Sequence, residues 1–256
     1  MWGRGVGVRG WLVGVGVRGW LVGVGFPRRR FGVTRSLGYR RGMSKARERL
    51  RATVDPAHTV VITNELQKGI VGDEAILAAL PAAVREAGIL SVAGRVCAAA
   101  RVRGVRVVHA VVEERFDGAG QSLNCRIFAL GAKRRAEVGY GPIDAGRPGA
   151  EIVDELDVQR SDIKMSRIHG MTAFTGTELD AVVRNLGGRT VVIMGVSVNL
   201  GVLGTALSAC DLGYQVVIVR DAVCGIPKEY ADDVLENSLS MIATIVDADE
   251  LIAAWS

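Results

Sequence analysis

Thr190-Val191-Val192-Ile193-Met194-Gly195-Val196-Ser197-Val198-Asn199-Leu200-Gly201-Val202-Leu203-Gly204-Thr205-Ala206-Leu207-Ser208-Ala209-Cys210-Asp211 reads as a buried strand, a glycine-bearing turn and a helix. The apolar run Val191 to Met194 is unbroken and short, as expected of a strand covered on both faces. Gly195 ends it, residues 196–201 turn the corner, and Val202 to Leu207 open a helix. In a parallel sheet such a turn lies at the carboxyl edge, where ligands bind. The start of the helix also offers N–H groups to an anion or a developing oxyanion. An ordinary strand-to-helix crossover has the same pattern, so this stretch speaks for the fold more than for function.

The same alternation continues on both sides. Upstream, Asp55-Pro56-Ala57-His58 is a turn and Thr59 to Ile62 the first strand, running out into Thr63-Asn64-Glu65-Leu66-Gln67-Lys68-Gly69. Helical periodicity follows over about Ile76–Ala87 and Leu90–Arg103, with Gly104 as a C-terminal cap. Val105 to Val112 is a second strand. Residues 117–148 have no clear period, and so long a loop in a compact domain is usually a lid or an interface. Ala150 to Leu156 reads as a short helix, and Asp162 to Ser166 as a third strand ending at Arg167. Thr177-Glu178-Leu179-Asp180 has the form of a capping box before a helix that stops at Gly187-Gly188. Downstream, Tyr214 to Val219 is a fifth strand that leaves the sheet at Arg220-Asp221-Ala222. Pro227 opens a helix running to about Met241, Ala243 to Val246 is an edge strand, and a last short helix ends near Trp255. Strands alternating with helices predict an α/β fold: a three-layer α/β/α, Rossmann-like domain with a central, mostly parallel six-stranded sheet.

At 256 residues the chain suits one α/β domain plus extras, and its 49% hydrophobic content with 5% aromatics fits an aliphatic core. The net charge of +5 is unevenly placed, because residues 1–42 carry nine arginines and no acid. The remainder is acidic on balance, which argues against nucleic-acid binding by the folded body. We therefore divide the chain into a disordered Arg/Gly-rich leader, 1–42, and a domain, 43–256. The leader repeats Val6-Gly7-Val8-Arg9-Gly10-Trp11-Leu12-Val13-Gly14 nine residues on, too short a unit for a solenoid. It fits a targeting peptide, a nucleic-acid or membrane arm, or an upstream extension of a chain whose natural start is Met43. No apolar run approaches the roughly 18 residues that cross a bilayer. Four cysteines, Cys97, Cys125, Cys210 and Cys224, form no CxxC pair, which suits a reducing, cytoplasmic setting. His58, His109 and His169 lack metal-ligand spacing, so no metal is expected. The absence of G-x-G-x-x-G after the first strand argues against a dinucleotide enzyme.

The order of elements resembles the isochorismatase-like hydrolase family over roughly Thr59 to Trp255. The resemblance rests on Gly149-Ala150-Glu151-Ile152-Val153, on Thr172-Ala173-Phe174 with Gly176-Thr177-Glu178-Leu179, on Gly195-Val196-Ser197-Val198-Asn199, and on Leu212-Gly213-Tyr214 leading into Arg220-Asp221-Ala222. Most members use a cysteine nucleophile, an aspartate after the first strand and a lysine after a middle strand, and this chain departs at all three positions. Glu65 stands for the aspartate, Arg167 for the lysine and Gly201 for the cysteine, an atypical catalytic triad. Glycine has no side chain, so a covalent thioester is impossible there. Its N–H survives as a candidate oxyanion donor. A branch of the family that also carries glycine there protonates a vinyl ether with its carboxylic acid, and water completes the cleavage. By that resemblance Glu65 is the expected general acid/base and Arg167 the clamp for a substrate carboxylate. Gln67, His169, Phe174, Ser197 and Asn199 are the expected substrate contacts. The reading is then a cofactor-free hydrolase of a small carboxylate-bearing metabolite, which the resemblance implies is assembled as a dimer or tetramer; the charge balance and the lack of a long apolar run argue against nucleic acid and membrane as partners of the domain. The alternative is an inactive member that serves as a binding or scaffold protein. Cys224, after the fifth strand, is a conceivable relocated nucleophile.

Overall fold

The computed structural model describes residues 45–256, which lie within Gly42–Ser256, one of the two units into which the chain divides. The expectations for residues 1–42, disorder and a start at Met43, lie outside the described residues. Each apolar run read above becomes a strand: β1 Thr59–Asn64, β2 Arg106–Val112, β3 Ile163–Arg167, β4 Thr190–Val196, β5 Gln215–Cys224 and β6 Thr244–Val246. They form one sheet in the order β3-β2-β1-β4-β5-β6, with every neighbouring pair parallel. The helices are α1 45–53, α2 Lys68–Val71, α3 Leu80–Ala87, α4 Ile89–Val102, α5 Arg126–Val138, α6 Leu179–Asn185, α7 Leu203–Asp211, α8 Lys228–Asn237 and α9 Ala248–Ala254.

The period of two along each strand divides the core into two layers. Val61, Val107, Val192, Met194 and Val217 face α3, α4 and α9, packing on Val84, Val96, Cys97, Leu251 and Trp255. Val60, Ile62, Val108, Val191, Ile193 and Ile218 face α6, α7 and α8, packing on Leu179, Val183, Ala206, Ala209 and Val234. Full burial of each such Val, Leu or Ile contributes about 1.5–3 kcal/mol, so a sheet covered on both faces is what these runs specify. The strand order reverses between β1 and β4, which sets a crevice at their carboxyl ends.

Several element boundaries differ from the sequence reading. The periodic segment from Ile76 becomes helical only at Leu80, where Pro81 lies in the first turn. Residues 150–156 are not a helix. They are two short 3-10 turns, Pro148–Ala150 and Asp154–Leu156, flanking an antiparallel bridge between Gln67 and Ile152. The aperiodic 117–148 segment contains α5, which has no buried residue and so no core-facing stripe to read. β5 continues through Arg220-Asp221-Ala222, because Val223 and Cys224 pair with Gly195 and Val196 after a register shift. The Glu178 side chain makes no cap at α6. Thr177 Oγ1 accepts from the Leu179 N–H at 3.2 Å, and the reciprocal capping box occurs instead at Asp247 and Glu250 before α9.

Candidate functional site

β1 ends at Asn64, and Glu65 follows with φ +56°, the left-handed region that non-glycine residues seldom occupy. Its N–H still bonds to the Ala110 carbonyl of β2 at 2.9 Å, so the turn is pinned at the sheet edge. Backbone held in this region at a cleft is the kind of local cost that clusters at functional sites. From there Lys68 N–H donates to the Glu151 carbonyl (2.9 Å) and Val153 N–H to the Leu66 carbonyl (3.0 Å).

Arg167, the last residue of β3, reaches past the end of β2, and its Nη2 donates to Glu65 Oε1. Both groups are largely withdrawn from water, with side-chain exposures of 5% for Arg167 and 17% for Glu65. Arg167 Nη1 is buried and has no hydrogen-bond partner. Burial raises the Glu65 pKa, and this outweighs the Arg167 guanidinium, which pulls it down by charge and hydrogen bond.

Beside this pair opens a cavity of about 130 Å³, room for a small metabolite. Glu65, His169, Ser197 and Gly201 lie on its wall with Ile70, Leu77, Ile127, Phe128, Met171 and Leu200, an apolar body with a few convergent polar groups. Arg167 is not on the wall, whereas its partner Glu65 is. The roof is α5, through Ile127, Phe128, Gly131 and Ala132, and the His169 and Phe128 rings meet edge to face at 6.3 Å. α5 is tied down by Arg135, which donates to Glu114 (2.8 Å), to the Phe116 carbonyl (2.8 Å) and to Asp144 (2.9 Å).

Gly201 sits in a π-turn, Val198–Val202, ahead of α7, with the Leu200 and Val202 N–H groups both donating to the Ser197 carbonyl at 3.0 Å. A Cβ at Gly201 would lie 2.7 Å from Asn64 Nδ2 and 3.2 Å from the Val196 carbonyl oxygen. The Asn64 amide fills that place because it is held from two sides. Its Nδ2 donates to the Val196 carbonyl at 2.6 Å, and its Oδ1 accepts from Thr205 Oγ1 at 3.2 Å. No cysteine stands on the cavity wall. Cys224 ends β5 as a buried thiol whose pKa burial raises, directed at the Gly225 carbonyl at 3.9 Å.

The structure thus brings Glu65, Arg167 and Gly201 to one corner, with His169 and Ser197 on the cavity wall. It places three expected substrate contacts elsewhere. Gln67 is fully buried and committed to backbone: Nε2 donates to the Val112 carbonyl (2.8 Å) and the Ala150 carbonyl (3.0 Å), and Oε1 accepts from Val112 N–H (2.8 Å). Phe174 stacks on Tyr214, with centroids 5.8 Å apart, in the core layer of α6–α8. Asn199 braces the turn, accepting from Ser197 Oγ (2.5 Å) and donating to the Ile226 carbonyl (3.2 Å). Asn64, Glu114 and Arg135 were missed by the sequence reading. Asn64 had a signal, as an amide closing a strand of apolar residues; Arg135 had none, since its partners are remote in sequence. Among the described residues no three His, Cys, Asp or Glu side chains are arranged to hold a metal, and no helix is long and apolar enough to cross a membrane.

A buried acid thus lies on an apolar cavity at the switch point of a doubly wound, three-layer α/β/α sheet. The chain belongs to the isochorismatase family, since the Isochorismatase domain model matches residues 59–250. It is 32% identical over 127 residues to the uncharacterized isochorismatase family protein YecD of Escherichia coli O157:H7, covering 46% of this chain and 66% of that one. It is 37% identical over 93 residues to YwoC, another uncharacterized isochorismatase family protein, of Bacillus subtilis (strain 168), covering 36% of this chain and 47% of that one. The matches thus span about two thirds and about half of these relatives' lengths. Among solved structures, an isochorismatase family protein from Desulfovibrio vulgaris superposes with a TM-score of 0.65 at 29% identity, covering 76% of this chain and 96% of that one.

Proposed function

We propose that the protein hydrolyses a small, carboxylate-bearing metabolite without a covalent intermediate, with Glu65 as general acid/base. The observation that carries this reading is the placement of a burial-raised carboxyl group on the wall of an apolar cavity that has glycine, and no thiol, at the turn after β4. For a vinyl ether the step balances simply. Glu65 transfers its proton to the terminal vinyl carbon, giving an oxocarbenium ion. Water adds to that ion and returns a proton to the Glu65 carboxylate. The hemiketal then separates into an alcohol and a ketone. Arg167 is the cation of this corner and the clamp for the substrate carboxylate, and Ser197, His169 and the Gly201 N–H are the polar groups that orient the rest of the substrate.

We place the enzyme in the cytoplasm, working without a cofactor, as a homo-oligomer. Exposed apolar side chains beside the lid, including Phe116, Leu123, Leu130 and Ile168, favour association. Light scattering on the purified protein measures that state. The second reading, a binding protein without catalysis, is favoured by the way Asn64 fills the volume a nucleophile would need.

The test is a screen of vinyl ethers, amides and N-carbamoyl acids, repeated after treatment with iodoacetamide. Turnover that survives alkylation is the expected result. Turnover abolished by alkylation would overturn the reading and point to Cys224 or Cys125.

A further inference from the structure

Among the described residues Arg167 is the one cation paired with Glu65, and that pairing uses Nη2 while Nη1 stays buried and unsatisfied. Its other contact is weak, with Nε and Nη2 each 3.4 Å from the Gly170 carbonyl. The remaining titratable groups on the cavity wall are Glu114, from the segment after β2, and His169, from the loop after β3. Glu114 is already taken by Arg135 of α5, which also binds Asp144, so that cluster is one guanidinium against two carboxylates. Among the described residues, a ligand carboxylate entering this corner therefore finds no spare positive charge. Adding an anion beside a buried, balanced ion pair leaves one charge uncompensated, which is strongly unfavourable away from water.

We propose that a carboxylate ligand enters by exchanging with Glu65 for the Arg167 guanidinium, and that the displaced Glu65 takes up one proton from solvent. This deepens the reading of Glu65 and Arg167 as site residues and rests on it. The ligand carboxylate accepts from Nη2 and Nη1 as a bidentate pair, satisfying the nitrogen that Glu65 leaves unpaired. Glu65, more exposed than Arg167 and on the cavity wall, is the member of the pair that can move and meet solvent. Having lost its cation and gained an anionic neighbour, its carboxyl is neutral in the complex, because a nearby like charge adds to the effect of burial. Binding thus loads the proton that the chemistry needs. The charge balance is conserved: one anion and one proton enter, and the corner keeps its net charge.

The experiment is calorimetric titration of the full chain with benzoate, as a small aromatic carboxylate, from pH 6 to 9 in pairs of buffers of different ionisation enthalpy. Uptake approaching one proton is expected at the upper end of this range, where free Glu65 is ionised, and there the dissociation constant should rise about tenfold per pH unit. Glu65→Gln should bind benzoate at least tenfold more tightly at pH 8, without proton uptake and independently of pH. Wild-type binding without proton uptake, no binding at any pH, or Glu65→Gln binding no better than wild type would each overturn the exchange. The wild-type proton count needs no variant to fold. None of these readouts requires turnover, so failure here is separate from failure of the hydrolase reading, which shows in the activity screen.

Discussion

Gly201→Ala tests whether the Asn64 amide occupies the nucleophile's place. The new methyl group would start 2.7 Å from Asn64 Nδ2, closer than atoms of side chain and neighbour approach, with the Val196 carbonyl oxygen at 3.2 Å on the other side. Asn64 is fully buried and cannot swing to solvent. Moving it breaks the 2.6 Å bond to Val196 and the 3.2 Å bond from Thr205. Overpacking a close-packed interior costs about 1–3 kcal/mol, and each lost buried hydrogen bond about 1 kcal/mol more. Reduced freedom of the unfolded chain returns about 0.4–1 kcal/mol. The expected net loss is about 2–5 kcal/mol, read from urea denaturation. Asn64→Ala, which empties the same space, should make Gly201→Ala cheaper, so the pair should be non-additive by about 1 kcal/mol or more. A neutral Gly201→Ala, or strict additivity with Asn64→Ala, would refute the packing account. Gly201→Cys should carry the same penalty and restore no thiol-dependent amidase activity.

Cys97, buried in α4 with its thiol pKa pushed up to about 12 by burial, should resist alkylation at pH 8 in the native protein while exposed Cys210 reacts; timed mass spectrometry checks the order. Arg135→Met removes the tie between α5 and the Glu114–Asp144 pair, and should raise proteolytic cleavage in 116–141 and KM more than it lowers kcat. His109 is held below the ordinary imidazole range by burial, which outweighs its bond to Asp162 (3.3 Å). With a depressed folded pKa it binds its proton later than the unfolded chain does, so stability should fall as pH drops below about 6.5. Glu65, with a raised pKa, contributes with the opposite sign, so urea midpoints at pH 7.5 and 5.5 are best compared in Glu65→Gln; equal midpoints would contradict the assignment.

The sheet was legible because strands buried on both faces must be apolar almost throughout: Val60 to Ile62, Val191 to Met194 and Val216 to Val219 are unbroken, and Val107 to Val112 is broken only by the buried His109. α5 was not, since a helix that roofs a cavity buries no full face and its residues show no stripe. The extension of β5 was hidden by Arg220 and Asp221, whose side chains leave the sheet while the backbone stays in it. Asp221 accepts instead from the Ala248 N–H at 2.8 Å. The corner of Glu65, Arg167 and Gly201 was reached through the family resemblance, and the parallel topology explains why these strand ends share one edge. Which polar residues face the cavity was not. Gln67 and Asn199 are as polar as any ligand contact, but buried backbone groups claim them first. Asn64 shows the converse, a residue whose importance lies in the volume it fills.

Turnover of Glu65→Gln against wild type, on the best substrate from the screen and with circular dichroism and urea midpoint measured alongside, tests the central claim most directly. An amide cannot deliver the proton, so kcat should fall by about 100-fold or more while the fold persists. Wild-type kcat in a folded Glu65→Gln would contradict the account.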